Sequence, residues 1–280
     1  MSSIYDAHQY DANKAKVAEQ FSKYAMQYDD IATVQQQIAE CLLTEMSQHK
    51  TLPQQRPWVD LGCGTGSNMA ALGKYTHSPI LGLDIAVGML ENARQHNMTQ
   101  PFVQADFEAL PLHNASVDVV FSSMALQWCS APQIVAKELE RILAPGGHAF
   151  LNVMVAPSFT NLRQAFTVIG HADSVNHFVE PEAWTHAFSE HVILTAKNKT
   201  FCADFIDFKT MMNSIKGVGA GVVQDTRAIN KPASTDTQNK TLRAINKSQY
   251  QTLVNHFSGS YQLDYHVLFL HLHKPIAQDE

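Results

Sequence analysis

The sequence predicts an α/β protein built on a doubly wound, mostly parallel sheet of seven strands. Three observations predict it. From residue 57 onward, short apolar runs alternate with amphipathic stretches of helical period, as in a parallel sheet covered on both faces. The first run, "WVDL", breaks into glycines at alternate positions, Gly62, Gly64 and Gly66, a turn that brings backbone close to a ligand. Acidic residues then follow the next two runs, Asp84 and Asp106, on the edge where right-handed crossovers gather every strand's C-terminal end. A length of 280 residues with 45% hydrophobic and 16% charged residues supports an ordinary globular core.

Taken in order, residues 12–50 are polar with Val17, Phe21, Tyr24 and Tyr28, then Ile31, Val34, Ile38 and Leu42 at helical spacing, which predicts two helices before the first strand. Strands are expected at Trp58–Leu61, Ile80–Leu83, Phe102–Ala105, Val117–Ser122 and Ala149–Val153. Helices are expected between them, at Val87–His96 and at Gln133–Leu143, the latter following Pro132 and ending at "APGG". Beyond residue 156, Phe159–Ile169, Glu182–Phe188 and Asp204–Ser214 read as helices, and His191–Phe201 and Tyr265–His273 as strands. The stretch Lys216–Lys240 is rich in Gly, Ser, Thr and Asn without periodicity, which predicts a mobile loop.

The formal net charge of −6, without a basic stripe, argues against nucleic-acid binding. Cys41, Cys63, Cys129 and Cys202 show no CxxC spacing and read as free thiols of a reducing compartment. The N-terminal residues carry no apolar signal segment and no run of 18 apolar residues occurs, so a cytoplasmic protein without a membrane partner is expected. His271 and His273 share one strand face, but with no third ligand at a recognisable spacing they read as strand-surface residues, and no metal is expected.

The glycine turn discriminates between ligands. No lysine follows Gly66, which removes the P-loop reading. The third glycine comes one position earlier than the dinucleotide pattern requires, which disfavours NAD. What is left is an acidic residue and G-x-G-x-G after the first strand, with acids after the next two. Glycines admit a ligand's amino-acid moiety, and Asp60 sets negative charge near an amino group and a sulfonium. Asp84 can accept from both hydroxyls of a ribose. Asp106 can accept from an adenine amino group, with Phe107 or Leu81 as apolar cover. S-adenosylmethionine has these needs, and it carries no phosphate to neutralise.

The blocks "VDLGCGTG", "LGLDIAVGMLENAR", "QADFEALPLHNASVDVVFSSMALQWC" and "ELERILAPGGHAFLNV" resemble, in order and spacing, the class I methyltransferases with their Rossmann-like sheet, over about residues 57–155. The resemblance implies that Ile85, Met89 and Ser122 also border S-adenosylmethionine, which would leave as S-adenosylhomocysteine. Three further pieces, "FSKYAMQYDDIA", "SSMALQWCSAP" and "MNSIKGVGAGVV", resemble the malonyl-acyl-carrier-protein O-methyltransferases of biotin synthesis, with "LQWC" and "KGVGA" the distinctive parts. The likeness weakens at residues 224–246. It implies one methyltransferase domain over 1–280, with an N-terminal helical cap (1–50), a cofactor-binding core (57–155) and a substrate lid inserted at 203–262.

It also implies an acceptor: the free carboxyl of malonyl carried on acyl carrier protein, or of malonyl-CoA. A malonyl carboxylate is ionised at pH 7, so it needs no general base. Catalysis is then alignment with water excluded. Lys216 is a candidate to contact the carboxylate or a thioester carbonyl, against a plain surface lysine, and Arg163 is a weaker one. Tyr28 is a candidate to close over the methyl donor, against a core tyrosine. Gln127 could donate to substrate, Trp128 could wall the pocket, and Cys129 reads as structural. Lys209, Lys216, Arg227 and Lys231 could form a local basic patch for an acidic carrier. Two other readings stay open: a methyltransferase for another small molecule such as a quinone precursor, and a non-catalytic S-adenosylmethionine-binding protein.

Overall fold

The structure is a computed structural model that describes residues 7–189, 192–217, 245–257 and 259–276. The N-terminal cap is α1 (Ala7–Tyr24), α2 (Tyr28–Ile31) and α3 (Thr33–Ser47). The core follows as β1 (Trp58–Leu61), α4 (Met69–Leu72), β2 (Ile80–Asp84), α5 (Val87–His96), β3 (Phe102–Gln104), β4 (Val117–Ser123), α6 (Pro132–Ile142) and β5 (Leu143–Met154). The C-terminal part is α7 (Thr160–Val168), α8 (Pro181–Thr185), β6 (Ile193–Phe205), α9 (Phe208–Gly217), α10 (Lys247–Phe257) and β7 (Tyr261–His273).

The seven strands form one sheet in the order β3-β2-β1-β4-β5-β7-β6. The first five pair in parallel, and β7 runs antiparallel between β5 and β6. The chain winds outward from β1 to β3, then restarts at β4 on the other side. That reversal opens a crevice at the C-terminal ends of β1 and β4, directly after the glycine turn.

Side-chain alternation along the strands divides the core. Trp58, Ile80, Val119, Phe121 and Phe150 pack with Ile38, Leu42 and Met46 of α3 and with α7, α9 and α10. Val59, Leu61, Leu83, Val120 and Leu151 pack with Val135, Leu139 and Ile142 of α6. Burying one such aliphatic side chain contributes roughly 1.5–3 kcal/mol, so both faces of the sheet are firmly held.

Where boundaries differ from expectation, pairing explains it. The β6 ladder runs from Ile193↔His273 to Phe205↔Tyr261, so the chain stays extended past Phe201 and the next helix starts at Phe208 rather than Asp204. Leu143 is already extended (ψ 129°), and β5 absorbs the "APGG" segment, with a register shift against β4 between Val117 and Val119. Pro132 and Pro181 sit in the first turn of α6 and α8, one residue before the expected starts. Helices α4 and α10 carry no sequence signal that was read. Most of the expected mobile stretch Lys216–Lys240, with Arg227 and Lys231, lies outside the described residues. Among the described residues, no helix is long and apolar enough to cross a membrane.

Candidate active site

A cleft open to solvent, with about 720 Å³ of empty space including its mouth, lies at the crevice, with Gly62, Gly64, Asp84, Met89, Phe107 and Met124 on its wall. Gly62 has φ +71°, and a Cβ there would lie 2.2 Å from that of Ala125, so only glycine lets β1 turn beneath the segment after β4. Asp84 fixes the turn: its carboxylate accepts from the N–H of Gly64 (2.9 Å) and of Ala86 (2.8 Å). Each oxygen keeps a lone pair for a further donor, as a ribose diol requires. Burial pushes the Asp84 carboxyl up, and the backbone donors offset that only in part.

Behind the wall, Asp60 is 1% exposed, and neither carboxylate oxygen has a hydrogen-bond partner. Burial, then the negative charge of Asp84, pushes it up to about 8. An acid this desolvated is suited to a neighbouring cation, whose charge restores its ionised form. Asp60 does not line the cavity, because alternation sends it to the opposite sheet face from Leu61, which does. It stands behind the wall rather than in contact with the cavity.

The N-terminal cap closes the cavity over Asp106 and Phe107. Lys14 of α1 bridges Asp106 (2.5 Å) and Glu108 (2.6 Å), and Val17, Phe21 and Tyr28 complete the roof. Burial lowers the Lys14 ammonium, but hydrogen bonds and charge from both acids outweigh it and leave the group raised. Ser22 Oγ accepts from the N–H of Gly88, Asn92 donates to Ala25 O, and Thr65 of the glycine turn donates to Asp29 (2.8 Å). The cap is thereby tied to both the turn and α5.

A second, smaller cavity adjoins the first and shares Tyr28, Met124 and Trp128 with it. Gln127, Phe159, Phe178 and Tyr265 add to its wall. Met124 marks the junction with φ +54°, costly for a side chain of its size. Asn152, fully buried, holds that turn by accepting from the Met124 N–H at 2.8 Å and donating to Ser123 Oγ at 3.0 Å. Burial, then nearby aspartates, raises the Tyr28 hydroxyl well above its ordinary value, and burial and Asp264 do the same for Tyr265. Both therefore stay protonated donors at neutral pH.

Several expected site residues sit elsewhere or act differently. Ser122 turns its hydroxyl to Leu61 O (2.7 Å), and its neighbour Ser123 takes the cavity wall. Gly66 is packed against Ala93, Asn97 and Phe102 rather than the cavity, and Leu81 lies three residues before the end of β2 while Phe107, Ile85 and Met89 line the wall. Gln127 donates its amide to Met124 O (2.6 Å) and leaves its own oxygen buried without a partner, so it offers an acceptor, not a donor. Arg163 donates to Asn176 O (2.7 Å) and to the His177 ring, bracing the segment that carries Phe178, and lines neither cavity. Lys216 is exposed on the last turn of α9, outside both cavities. Cys129 is core, with its thiol pushed up chiefly by burial. His271 does have companions: His148 from the adjacent strand and His49 from beyond α3, which no sequence spacing could reveal. Lys14, Met124, Asn152 and Tyr265 were not foreseen, although Met124 and Asn152 both fall inside matched blocks.

The geometry is that of a methyl-donor cleft, and the comparisons agree. The family described as "Methyltransferase domain" matches residues 59–151. The malonyl-[acyl-carrier protein] O-methyltransferase of Enterobacter lignolyticus is 31% identical over 259 residues, covering 91% of this chain and 95% of that protein. Its counterpart in Herminiimonas arsenicoxydans is 32% identical over 274 residues, covering 96% and 99%. The chain belongs to this family. It is an S-adenosylmethionine-dependent methyltransferase. The solved YcgJ protein of Bacillus subtilis, 16% identical, superposes with a TM-score of 0.58 over 84% of this chain and 99% of its own, which shows the shared class I fold.

Proposed function

We propose that the enzyme esterifies the free carboxyl of malonyl-acyl carrier protein, or of malonyl-CoA, to its methyl ester in the cytoplasm, as an early step of biotin synthesis. The observation that carries this reading is the near full-length similarity to two family members bearing that acceptor in their names. The second cavity supports it. A small acid enters beside the donor cleft, past Tyr28 and Met124, into a pocket largely walled by aromatic side chains.

S-adenosylmethionine, when bound, supplies a methyl group on a positively charged sulfur. Asp84 would hold its ribose and Asp106 its adenine, with Phe107, Ile85 and Met89 against the ring. The pattern of donors fits: the only cation on the cleft wall among the described residues, Lys14, is spent on Asp106 and Glu108, so nothing there calls for a phosphate. The chain's own contribution to the reaction is orientation. An ionised carboxylate needs no base. The hydroxyls of Tyr28 and Tyr265 would hold it as neutral donors, which orient it without quenching its nucleophilicity as a buried cation would. The Gln127 oxygen would accept from an amide N–H of the thioester arm. Trp128 and Phe159 exclude water.

Lys209 and Lys216 lie seven residues apart on α9, exposed and on one helix face, the start of a docking patch for an acidic carrier. In this reading the whole chain works as one domain, with residues 203–262 serving as the acceptor's cover.

The test is direct. Protein, labelled S-adenosylmethionine and malonyl-acyl carrier protein should yield a methyl ester; no product above a blank without enzyme would overturn the reading. Product from free malonate or a quinone precursor instead would point to another acceptor, and cofactor binding without turnover to a sensor.

A further inference from the structure

On the opposite edge of the sheet from both cavities, four histidines meet. His148 enters at the start of the paired run of β5, opposite His273 of β7, and His271 lies two residues away on the same face of β7. His49 reaches them from just past the C-terminal end of α3. The ring centroids of His49 and His271 are 4.2 Å apart, and His148 Nδ1 lies 3.0 Å from His271 Nε2. One ring nitrogen from each of His49, His148 and His271 falls within 4.8 Å of the others. Phe150 stacks under His271 at 4.6 Å and floors the group. All three are half-buried, so an ion can reach them.

We propose that His49, His148 and His271 bind one divalent transition-metal ion, Zn²⁺ by preference, at a site separate from the methyl-transfer cleft. Three imidazole nitrogens suit Zn²⁺ and its late first-row neighbours, whereas Mg²⁺ and Ca²⁺ take oxygen ligands. Zinc–imidazole bonds of roughly 2.0–2.1 Å need ligand nitrogens a little over 3 Å apart, close to the spacing that His148 and His271 already hold. His49 follows a helix C-terminus, whose carbonyl end favours a cation. Nothing in methyl transfer to a carboxylate uses these groups. The ion clasps the end of α3 to β5 and β7, so it supports the cap from behind. Lys197 of β6 lies near His271, and its positive charge works against a bound cation.

The test uses the full chain without a histidine tag. Zn²⁺ is titrated in competition with a chromophoric chelator, and Co²⁺ is added separately for its tetrahedral absorption bands. One equivalent should bind, with intense Co²⁺ bands, a raised thermal midpoint and no response to Mg²⁺. His49→Gln, at a helix end where folding is not at risk, and His271→Gln should each weaken binding at least tenfold. His77→Gln, remote on the surface, should not. Absence of saturable one-to-one binding, or affinity unchanged in His49→Gln and His271→Gln, would overturn the site. Neither readout depends on the acceptor the enzyme methylates.

Discussion

Asp60→Asn isolates a buried acid whose ionisation the fold opposes. An exposed aspartate titrates near 3.8, whereas Asp60 is pushed up to about 8 by burial and by Asp84. Between those values the unfolded chain has released a proton that the folded protein still holds. Stability from this group is therefore lost as pH rises through that window, at about 1.4 kcal/mol per pH unit. At neutral pH the accumulated cost is of the order of 4 kcal/mol, an upper bound because a folded protein relaxes around a buried charge. Asparagine keeps the shape and abolishes the titration. Urea unfolding of ligand-free protein, at unit steps from about pH 5 to about pH 8, should show the variant gaining on the wild type by about a kilocalorie per step. At the same time it should bind S-adenosylmethionine more weakly, because the cation loses its counter-charge. A stability difference that stays constant across the range would show that Asp60 ionises as an ordinary surface acid, and its role as partner to a sulfonium would fall with it.

Other expectations follow from the same site. Asp84→Ala removes the acceptor for both the glycine turn and the ribose, and calorimetry should record a loss of roughly 1–3 kcal/mol in cofactor binding; unchanged affinity would refute the placement. Gly62→Ala sets a Cβ 2.2 Å from Ala125 at φ +71°, so it should lower the thermal midpoint and abolish measurable cofactor binding; a variant that binds normally would mean the turn yields elsewhere. Tyr265→Phe should reduce kcat/KM for the acceptor about tenfold, worth one hydrogen bond to a charged group, while leaving cofactor affinity alone. Lys216→Ala should leave turnover of malonyl-CoA near wild type, and a collapse there would return the carboxylate to that lysine.

Much of the molecule was legible in the chain itself. The strand and helix periods from Trp58 to Met154, and the acids closing the first strands, are local patterns, and local patterns survive transcription into one dimension. The glycine turn named the ligand class because its spacing, G-x-G-x-G without a lysine, is also local. What spacing could not say is which face of a strand a residue takes at its very end. Asp60 and Ser122 were expected on the cavity wall, yet alternation places Asp60 behind it, and Ser123 takes the wall beside Ser122. Nor could it say what a side chain is already doing. Arg163 is spent on the 175–177 segment and the Gln127 amide on a carbonyl, contacts that span turns no periodicity describes.

Sequence alone thus determined the sheet, the methyl donor and the family, all carried by residues near one another along the chain. Tertiary structure alone decided the chemistry that joins distant residues: Lys14 across to Asp106, Asn152 under Met124, Tyr265 on one cavity wall with Tyr28, and His49 against His148 and His271. The reason is physical. Backbone pattern is set by neighbours a few residues away, whereas burial, charge and ligand geometry are set by whatever folding brings within a few ångströms.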